Sequence, residues 1–206
     1  MDLKEMETRL QAMEDTLAID RLQKIFGYYL DNGQNQKVVD LFSDNAESIE
    51  IADRGVCLGK DGIRRFFLGY LGEGRHGDMQ ETPPGRMLFH MQLQGVVDVA
   101  QDGLTARGRW YVLMIQAWPL NPSEGQQSVL GHGVYENEFV KEDGVWKFKK
   151  VFMSLHFRSP IPEGWAALPV ISGGRFSGSD LPPTAYHPFP DIQIVPFHWK
   201  HPVTGK

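Results

Sequence analysis

The sequence has little of what a disulfide-stabilised, basic or membrane-spanning protein needs. A single cysteine, Cys57, among 206 residues excludes an intrachain disulfide. Asp and Glu (26) outnumber Lys and Arg (21), and the net charge is −5. Nucleic acid is therefore not an expected partner, because phosphate binding needs a concentrated basic surface. No apolar run reaches the 18 residues of a membrane-spanning helix. We expect a cytoplasmic protein without a membrane partner.

Linear catalytic motifs are also missing. The chain has no GxGxxG after a strand, no phosphate-binding GxxxxGK, no CxxC, no HExxH and no GxSxG. No single element carries histidines at metal-ligand spacing, so we expect neither a metal nor an organic cofactor. Cys57, beside Leu58, fits a strand or loop residue better than a nucleophile. Any catalysis must come from groups that converge in space.

The N-terminal 30 residues have the pattern of an amphipathic helix that ends at Asn32 and Gly33. Two shorter helices are predicted over 36–42 and 63–71. The first heptads fit either packing against a partner chain or covering the domain, and we expect a homodimer or homotrimer. The apolar stripe of the long helix consists of Leu3, Met6, Leu10, Met13 and Leu17.

The middle of the chain has strand composition over 87–100, 105–118, 129–141 and 145–157. Asp102-Gly103 and Asp143-Gly144 are hairpin signals between these strands. A polar loop over 72–85 is long enough to form a pocket rim or lid. Helices followed by an antiparallel meander predict an α+β domain with a curved sheet around a helix.

Residues 158–206, here called the C-terminal arm, differ in composition from the rest. They contain nine of the thirteen prolines and several large aromatic residues. A solvated disordered tail is poor in aromatic residues. We therefore predict a domain over 1–157, with a helical extension over 1–14, and an irregular arm that packs on this domain or on a neighbouring subunit.

Strand alternation selects the candidate site residues. His90 shares a strand face with Gln92 and Gln94, and this face either lines a pocket or meets solvent. Arg109 and Tyr111 share a face of the next strand, with the same two alternatives. The remaining candidates are Tyr135 and Asn137 on one face of the third strand, His132 on its other face, and His156 near the end of the fourth.

Several segments together resemble the SnoaL-like proteins of the nuclear transport factor 2-like superfamily. They are Tyr28 to Gly33, Val38 to Ala46, Leu58 to Phe66, His90 and Gly133 to Trp146. The resemblance implies a cone: a strongly bent, mostly antiparallel sheet closed by helices around an apolar cavity, with enzymes that work without metal or organic cofactor. In the scytalone-dehydratase-like branch a tyrosine and an aspartate at the end of the first helix meet a sheet histidine, which Tyr28, Asp31 and His90 match.

The second sheet histidine of that branch has no match, since the corresponding strand offers Arg109 and Tyr111, and His132 or His156 would have to substitute. The resemblance implies a lyase that dehydrates, or releases formaldehyde from, an apolar aromatic molecule such as a lignin-derived diaryl compound; isomerase or cyclase chemistry is less favoured. With the strand faces described above, we expect His90, Asp31, Tyr28 and Arg109 as catalytic residues. We expect the substrate-binding residues to be Tyr111, His132, Tyr135, Asn137, Gln94 and His156.

Two other classes of function fit the same cone. One is a ligand-binding module without catalysis, because a fold does not fix a function. The other is an interaction subunit like the small subunit of ring-hydroxylating dioxygenases, whose sheet and arm would pack against a larger chain. Turnover of a substrate separates the enzyme from the first, and co-purification with a Rieske-type chain would favour the second.

Overall fold

The computed structural model describes residues 2–72, 79, 81–119, 125–166 and 173–206. A long helix is followed by two short ones and then by the long strands of the meander. The third helix continues as a π-helical turn, Arg65–Leu71, and β1 and β2 are joined by a 3-10 turn, Ala52–Arg54. The elements are α1 (Leu3–Asp31), α2 (Asn35–Asp40), β1 (Ser48–Ile51), β2 (Val56–Leu58), α3 (Gly59–Arg64), β3 (Met87–Val99), β4 (Thr105–Pro119), β5 (Gln126–Glu142) and β6 (Val145–Pro160).

The strands of the described ranges form one open six-stranded sheet in the order β2-β1-β6-β5-β4-β3. All neighbours are antiparallel except β1 and β6, which run parallel. The α+β prediction is confirmed, and the four long strands agree closely with the ranges expected from the sequence. The short strand β2 was not predicted, and residues 73–78 and 80 of the predicted rim loop lie outside the described residues.

The hairpin between β5 and β6 shows why its sequence signal is strong. Asp143 and Gly144 both have positive φ, 50° and 78°, which is the geometry of a type I′ turn. The twist of this turn matches that of the flanking strands, so Glu142 pairs directly with Val145. The Asp-Gly pair therefore sets the register of the two longest described strands.

The helix α1 packs across the inner face of the sheet through an aromatic core. Phe26 is fully buried and meets Phe67, Tyr135 and Phe148 at ring-centroid distances of 6.2, 6.0 and 5.3 Å. Close approach to β3 is possible because residue 27 is glycine: a Cβ there would lie 3.2 Å from the carbonyl oxygen of His90. This approach brings the C-terminal end of α1 beside β3.

The N-terminal half of α1 behaves differently from its C-terminal half. Its apolar stripe is exposed, with exposed fractions from 44% to 69%, whereas the buried apolar residues of α1 begin at Ile19. The domain thus covers only the second half of the helix. The exposed residues are Leu3, Met6, Leu10, Met13 and Leu17.

The described part of the C-terminal arm contacts the domain at several places. Phe176 stacks on Tyr70 at 4.8 Å, and Leu181 forms an antiparallel bridge with Val56 of β2. Thr184 donates hydrogen bonds from its backbone and hydroxyl to the Glu50 carboxylate, at 2.6 and 2.7 Å. Further along, the arm reaches the outer face of the sheet.

Candidate active site

Asp31, the last residue of α1, faces His90 of β3. The carboxylate accepts hydrogen bonds from the backbone N–H of His90 at 3.0 and 3.1 Å and lies 2.6 Å from its ring Nδ1. Because β3 is an edge strand, this N–H has no strand partner. Both side chains are largely shielded, 15% exposed for Asp31 and 12% for His90. Such a pair fixes the tautomer and orientation of the imidazole and places a carboxylate beside it.

The other ring nitrogen of His90 belongs to a second hydrogen-bond chain. Nε2 lies 3.0 Å from Nε2 of Gln116, and Oε1 of Gln116 accepts from Nε of Arg158 at 3.2 Å. Since the amide oxygen is taken by Arg158, the amide nitrogen must donate to His90. In the tautomer that fits this chain His90 carries its proton on Nδ1, and the Nε2 lone pair accepts from Gln116, a partner that a substrate proton would replace when His90 acts as a general base.

His90 and Gln116 both line a cavity of about 740 Å³. This size lies within the range of about 300 to 1,000 Å³ that small-molecule sites occupy. The wall is mainly apolar and aromatic, and its polar groups are grouped near His90 and near β1. Among the described residues the lining includes Phe26, Leu30, Phe66, Phe67, Tyr70, Leu88, Met114, Trp118, Tyr135, Met153 and Leu155, with the polar residues Asp53, Arg54, Arg86, His90, Gln116 and Arg158.

Tyr135 brings a phenol to the same cavity. Burial raises the pKa of Tyr135, and the nearby Asp31 charge raises it further. The phenol therefore stays protonated. A protonated donor of this kind suits a developing negative charge on a ligand.

Gln94 and Asn137, two of the predicted binding residues, do not line the cavity. The structure of β3 and its neighbours explains both cases. A bulge between Gln92 and Gly95 shifts the register with β4, so Gln94 leaves the face of His90 and is exposed. Asn137 is fully buried in a polar chain instead, donating to Gln23 at 2.8 Å. Gln23 in turn donates to Gln92 at 2.8 Å, and Gln92 donates to the carbonyl of His90 at 3.0 Å. Asn137 thus supports the strand that carries His90.

Tyr28 does not join the pair of Asp31 and His90. Its side chain is 73% exposed, and it is not among the residues that line the cavity. The physical reason is helix geometry: Gly27 and Asp31, four residues apart, lie on the side of α1 that contacts β3, whereas Tyr28 lies about 100° around the helix from Gly27 and points away from this contact. The convergence of three residues predicted from the sequence is corrected to two.

Arg109 lies on the outer face of the sheet, not in the cavity. Its Nη1 contacts Glu136 at 3.0 Å and donates to the carbonyls of Val195 and Pro196 of the arm at 3.0 and 3.1 Å. The guanidinium also lies over the rings of two arm residues, at 4.7 and 5.8 Å from the centroids of Phe197 and Trp199. Arg109 holds the arm on the sheet, and its predicted place among the catalytic residues is not supported by this geometry.

Tyr111, His132 and His156 form a cluster on the same outer face, outside the cavity wall. Nδ1 of His132 lies 3.0 Å from Nδ1 of His156, and the Tyr111 ring lies 5.1 Å from the His132 ring. Burial lowers the pKa of His132, and burial with the neighbouring His132 and Arg109 lowers the pKa of His156 to about 4. The backbone N–H of Phe189 donates to the carbonyl of His156, so the arm covers this cluster.

Gln116 and Arg158 were not among the residues predicted from the sequence. Gln116 shares its strand face with Trp110, Val112 and Met114, all buried, and one polar residue in such a row was the available signal. Arg158 lies beyond the last predicted strand, which continues to Pro160. Burial is the main cause that lowers the pKa of Arg158.

Other kinds of site find less support in the described residues. They contain no group of three His, Cys, Asp or Glu side chains that could hold a metal ion, and no helix among them is long and apolar enough to cross a membrane. Cys57 is fully buried in β2, and burial raises the pKa of its thiol. A buried thiol of raised pKa is a poor nucleophile.

An open sheet wrapped on a long helix, with an Asp–His pair at an apolar cavity, defines the cone-shaped α+β class of the nuclear transport factor 2-like superfamily. Residues 11–151 match the model of the SnoaL-like domain, and the chain belongs to that family. No functionally curated protein matches it significantly.

Solved structures share this fold at low sequence identity. A candidate scytalone dehydratase from Novosphingobium aromaticivorans is 22% identical, with a TM-score of 0.58 over 81% of this chain and 97% of that chain. A type 2 hexachlorocyclohexane dehydrochlorinase (LinA) is 22% identical, with a TM-score of 0.59 over 81% and 99%. A candidate aromatic ring hydroxylase from N. aromaticivorans is 22% identical, with a TM-score of 0.55 over 73% and 96%. At this identity the likeness concerns the fold.

Proposed function

We propose that the protein is a cofactor-independent lyase that acts on an aromatic small molecule, with His90 as its general base and acid. The observation that carries this proposal is the pairing of His90 with Asp31 at the wall of a mainly apolar cavity. A proton-transfer group so arranged accelerates a reaction by about 10²- to 10⁴-fold. Lyases among the fold relatives, a dehydrochlorinase and a candidate dehydratase, agree with this chemistry.

Elimination of water would need two proton transfers in this site. His90 removes a proton from carbon, the electron pair forms the double bond, and the departing hydroxide takes a proton from Tyr135 or from protonated His90. Formaldehyde release from a 1,3-diol uses the same groups: His90 takes the proton of the hydroxymethyl O–H, the carbon–carbon bond breaks to leave formaldehyde and an alkene, and the other hydroxyl departs as water. Both reactions balance without an oxidant or a metal.

The wall of the cavity supports an aromatic substrate. Aromatic side chains from four elements meet there, among them Phe66, Tyr70 and Trp118, and stacked or edge-on ring pairs are favourable by about 0.5–1.5 kcal/mol beyond burial. The volume of about 740 Å³ accommodates two rings. We therefore extend the proposal to diaryl compounds of the kind that lignin yields.

The test is turnover of phenolic 1,2-diarylpropane-1,3-diols, followed by formaldehyde release and by alkene absorbance. We expect product with the wild type and at least a 10²-fold lower rate with His90→Gln, which keeps a polar side chain of similar size. Saturable binding of these diols without any product would reject the lyase and favour the binding module. A stable complex with a Rieske-type chain would favour the interaction subunit.

We also propose that the protein forms a homodimer or homotrimer in the cytoplasm. The exposed stripe of α1 supports self-association, since an apolar surface of this kind is rarely left open in a monomer. The single reduced Cys57 is compatible with a reducing compartment.

A further inference from the structure

Arg158 of β6 lines the cavity and makes one side-chain hydrogen bond to the described residues. In that bond its Nε donates to Gln116 at 3.2 Å. The two terminal nitrogens make no hydrogen bond to the residues that the structure describes, and none of the described carboxylates lies within ion-pair distance. A partly buried arginine that Asp53 influences only from beyond ion-pair distance, and that a second arginine, Arg54, opposes, is costly in a protein interior. Such an arginine calls for an anionic partner that arrives with a ligand.

The other charged groups of the cavity do not remove this excess of positive charge. Three arginines line the described wall against one carboxylate, Asp53. Asp53 is already engaged: it lies 3.5 Å from Nη1 of Arg54 and accepts from the backbone N–H of Gly174 at 2.8 Å. Arg86 contacts only the sulfur of Met79, at 3.8 Å, among described residues. The cavity is therefore cationic as well as aromatic.

The surroundings of Arg158 hold its guanidinium in place for a ligand. The group lies over the Trp118 ring, 4.8 Å from the centroid, and its Nε is fixed by Gln116. A planar guanidinium held on one edge presents its remaining N–H groups as a fork, which matches the two oxygens of a carboxylate. The Gln116 amide connects Arg158 to the proposed base, because it contacts both Nε of Arg158 and Nε2 of His90.

We propose that Arg158 binds a carboxylate of the substrate, so that the substrate of this cavity is an aromatic acid. The proposal rests on the proposed lyase and narrows its substrate class to diaryl compounds that carry a carboxylate, so that the neutral diols used to test the lyase lack one of the substrate's contacts. The carboxylate would dock beside Trp118 and leave the reacting carbon within reach of His90, while the aromatic body fills the apolar wall. Gln116 would then couple the two ends of the site, because it contacts both His90 and Arg158.

Equilibrium binding tests this assignment without reference to turnover. The probes are biphenyl-4-carboxylate and its neutral isostere biphenyl-4-carboxamide, titrated by calorimetry at low and high salt. We expect the carboxylate to bind wild type at least tenfold more tightly than the carboxamide, with the preference reduced by salt. Arg158→Gln should abolish the preference, and Arg158→Lys should keep part of it. Arg86→Gln is the matched control at a second cavity arginine and should leave most of it.

The outcomes separate this inference from the proposed function. Asp31→Asn, which disables the proposed base, should keep the carboxylate preference, since it leaves Arg158 intact. Equal binding of carboxylate and carboxamide by wild type would overturn the anionic substrate while leaving the lyase untouched. Loss of the preference in Arg86→Gln but not in Arg158→Gln would overturn the assignment to Arg158. Absence of any binding by wild type would overturn the assignment of an aromatic acid to this cavity, while the lyase is judged separately by turnover of the diols.

Discussion

One carboxylate, that of Asp31, holds His90 by both its backbone N–H and its ring, at 3.0 and 2.6 Å. This contact joins the edge strand β3 to the C-terminal end of α1 and orients His90, the proposed base. Removal of the negative charge should affect the chemistry more than the fold, because an amide can still accept from the backbone N–H.

We therefore predict that Asp31→Asn lowers the turnover number by at least 10²-fold, since the imidazolium formed in the reaction loses its counter-charge. Single-turnover kinetics with the diol substrates would measure the loss, and the thermal midpoint would report on the fold. Turnover within a factor of three of wild type would contradict the role given to the pair.

The two tyrosines offer a matched comparison. Tyr135→Phe removes the protonated hydroxyl that faces the cavity, and we expect at least a tenfold loss of turnover. Tyr28→Phe removes a hydroxyl from a side chain that is 73% exposed and outside the cavity, so turnover should remain that of wild type. The reverse result would return the catalytic role to Tyr28, as the sequence predicted.

Arg109 should matter for stability and not for chemistry. Arg109→Met removes the contacts to Glu136 and to the arm carbonyls, and we expect the free energy of unfolding to fall by roughly 2 kcal/mol. Denaturant unfolding measures this change, and limited proteolysis should show faster cleavage of the arm. A large fall in turnover with unchanged stability would contradict this role.

The fold could be predicted further than the site because periodic patterns report on packing. The Asp-Gly turns and the alternation of the strands fixed the hairpins, and the histidine of β3 stood out in an apolar row. Gln94 was misplaced because a bulge after Gln92 shifts the alternation by a step that composition does not encode. Arg109 was misplaced because alternation separates the two faces of a strand but does not show which face is the inner one. The arm also covers the outer face, so that residues on both faces are buried.

The exposed stripe of α1 gives a prediction about assembly. Leu10→Glu combined with Leu17→Glu should convert an oligomer into a monomer, because charges would be buried without partners in an apolar contact. Light scattering after gel filtration measures the mass. Lys4→Glu is a control on the same helix, also exposed, that leaves the apolar residues in place. A monomeric wild type would refute the proposed homodimer or homotrimer.

The pair of His132 and His156 predicts an acid-dependent loss of stability. The pKa of His156 is about 4 in the folded chain and about 6.5 in the unfolded chain, and that of His132 is lowered in the same direction. Between these values the unfolded chain binds more protons, so the free energy of unfolding should fall as the pH drops from about 6.5 to 4. We expect a loss on the order of 2 kcal/mol from this cluster, because protonated rings would lie against each other and near Arg109.

Replacement of one ring separates this effect from general acid denaturation. His156→Phe keeps an aromatic ring beside Tyr111 and His132 but cannot be protonated, so the slope of stability against pH between 6.5 and 4 should become shallower. Denaturant unfolding at several pH values measures both slopes, and His187→Phe, a change in the arm at a histidine outside this pair, should leave the wild-type slope. If His156→Phe kept the full slope, the groups that titrate between pH 6.5 and 4 would have to lie elsewhere. The arm would then be held on the sheet by Arg109 and by the aromatic contacts, without a contribution from the histidine pair.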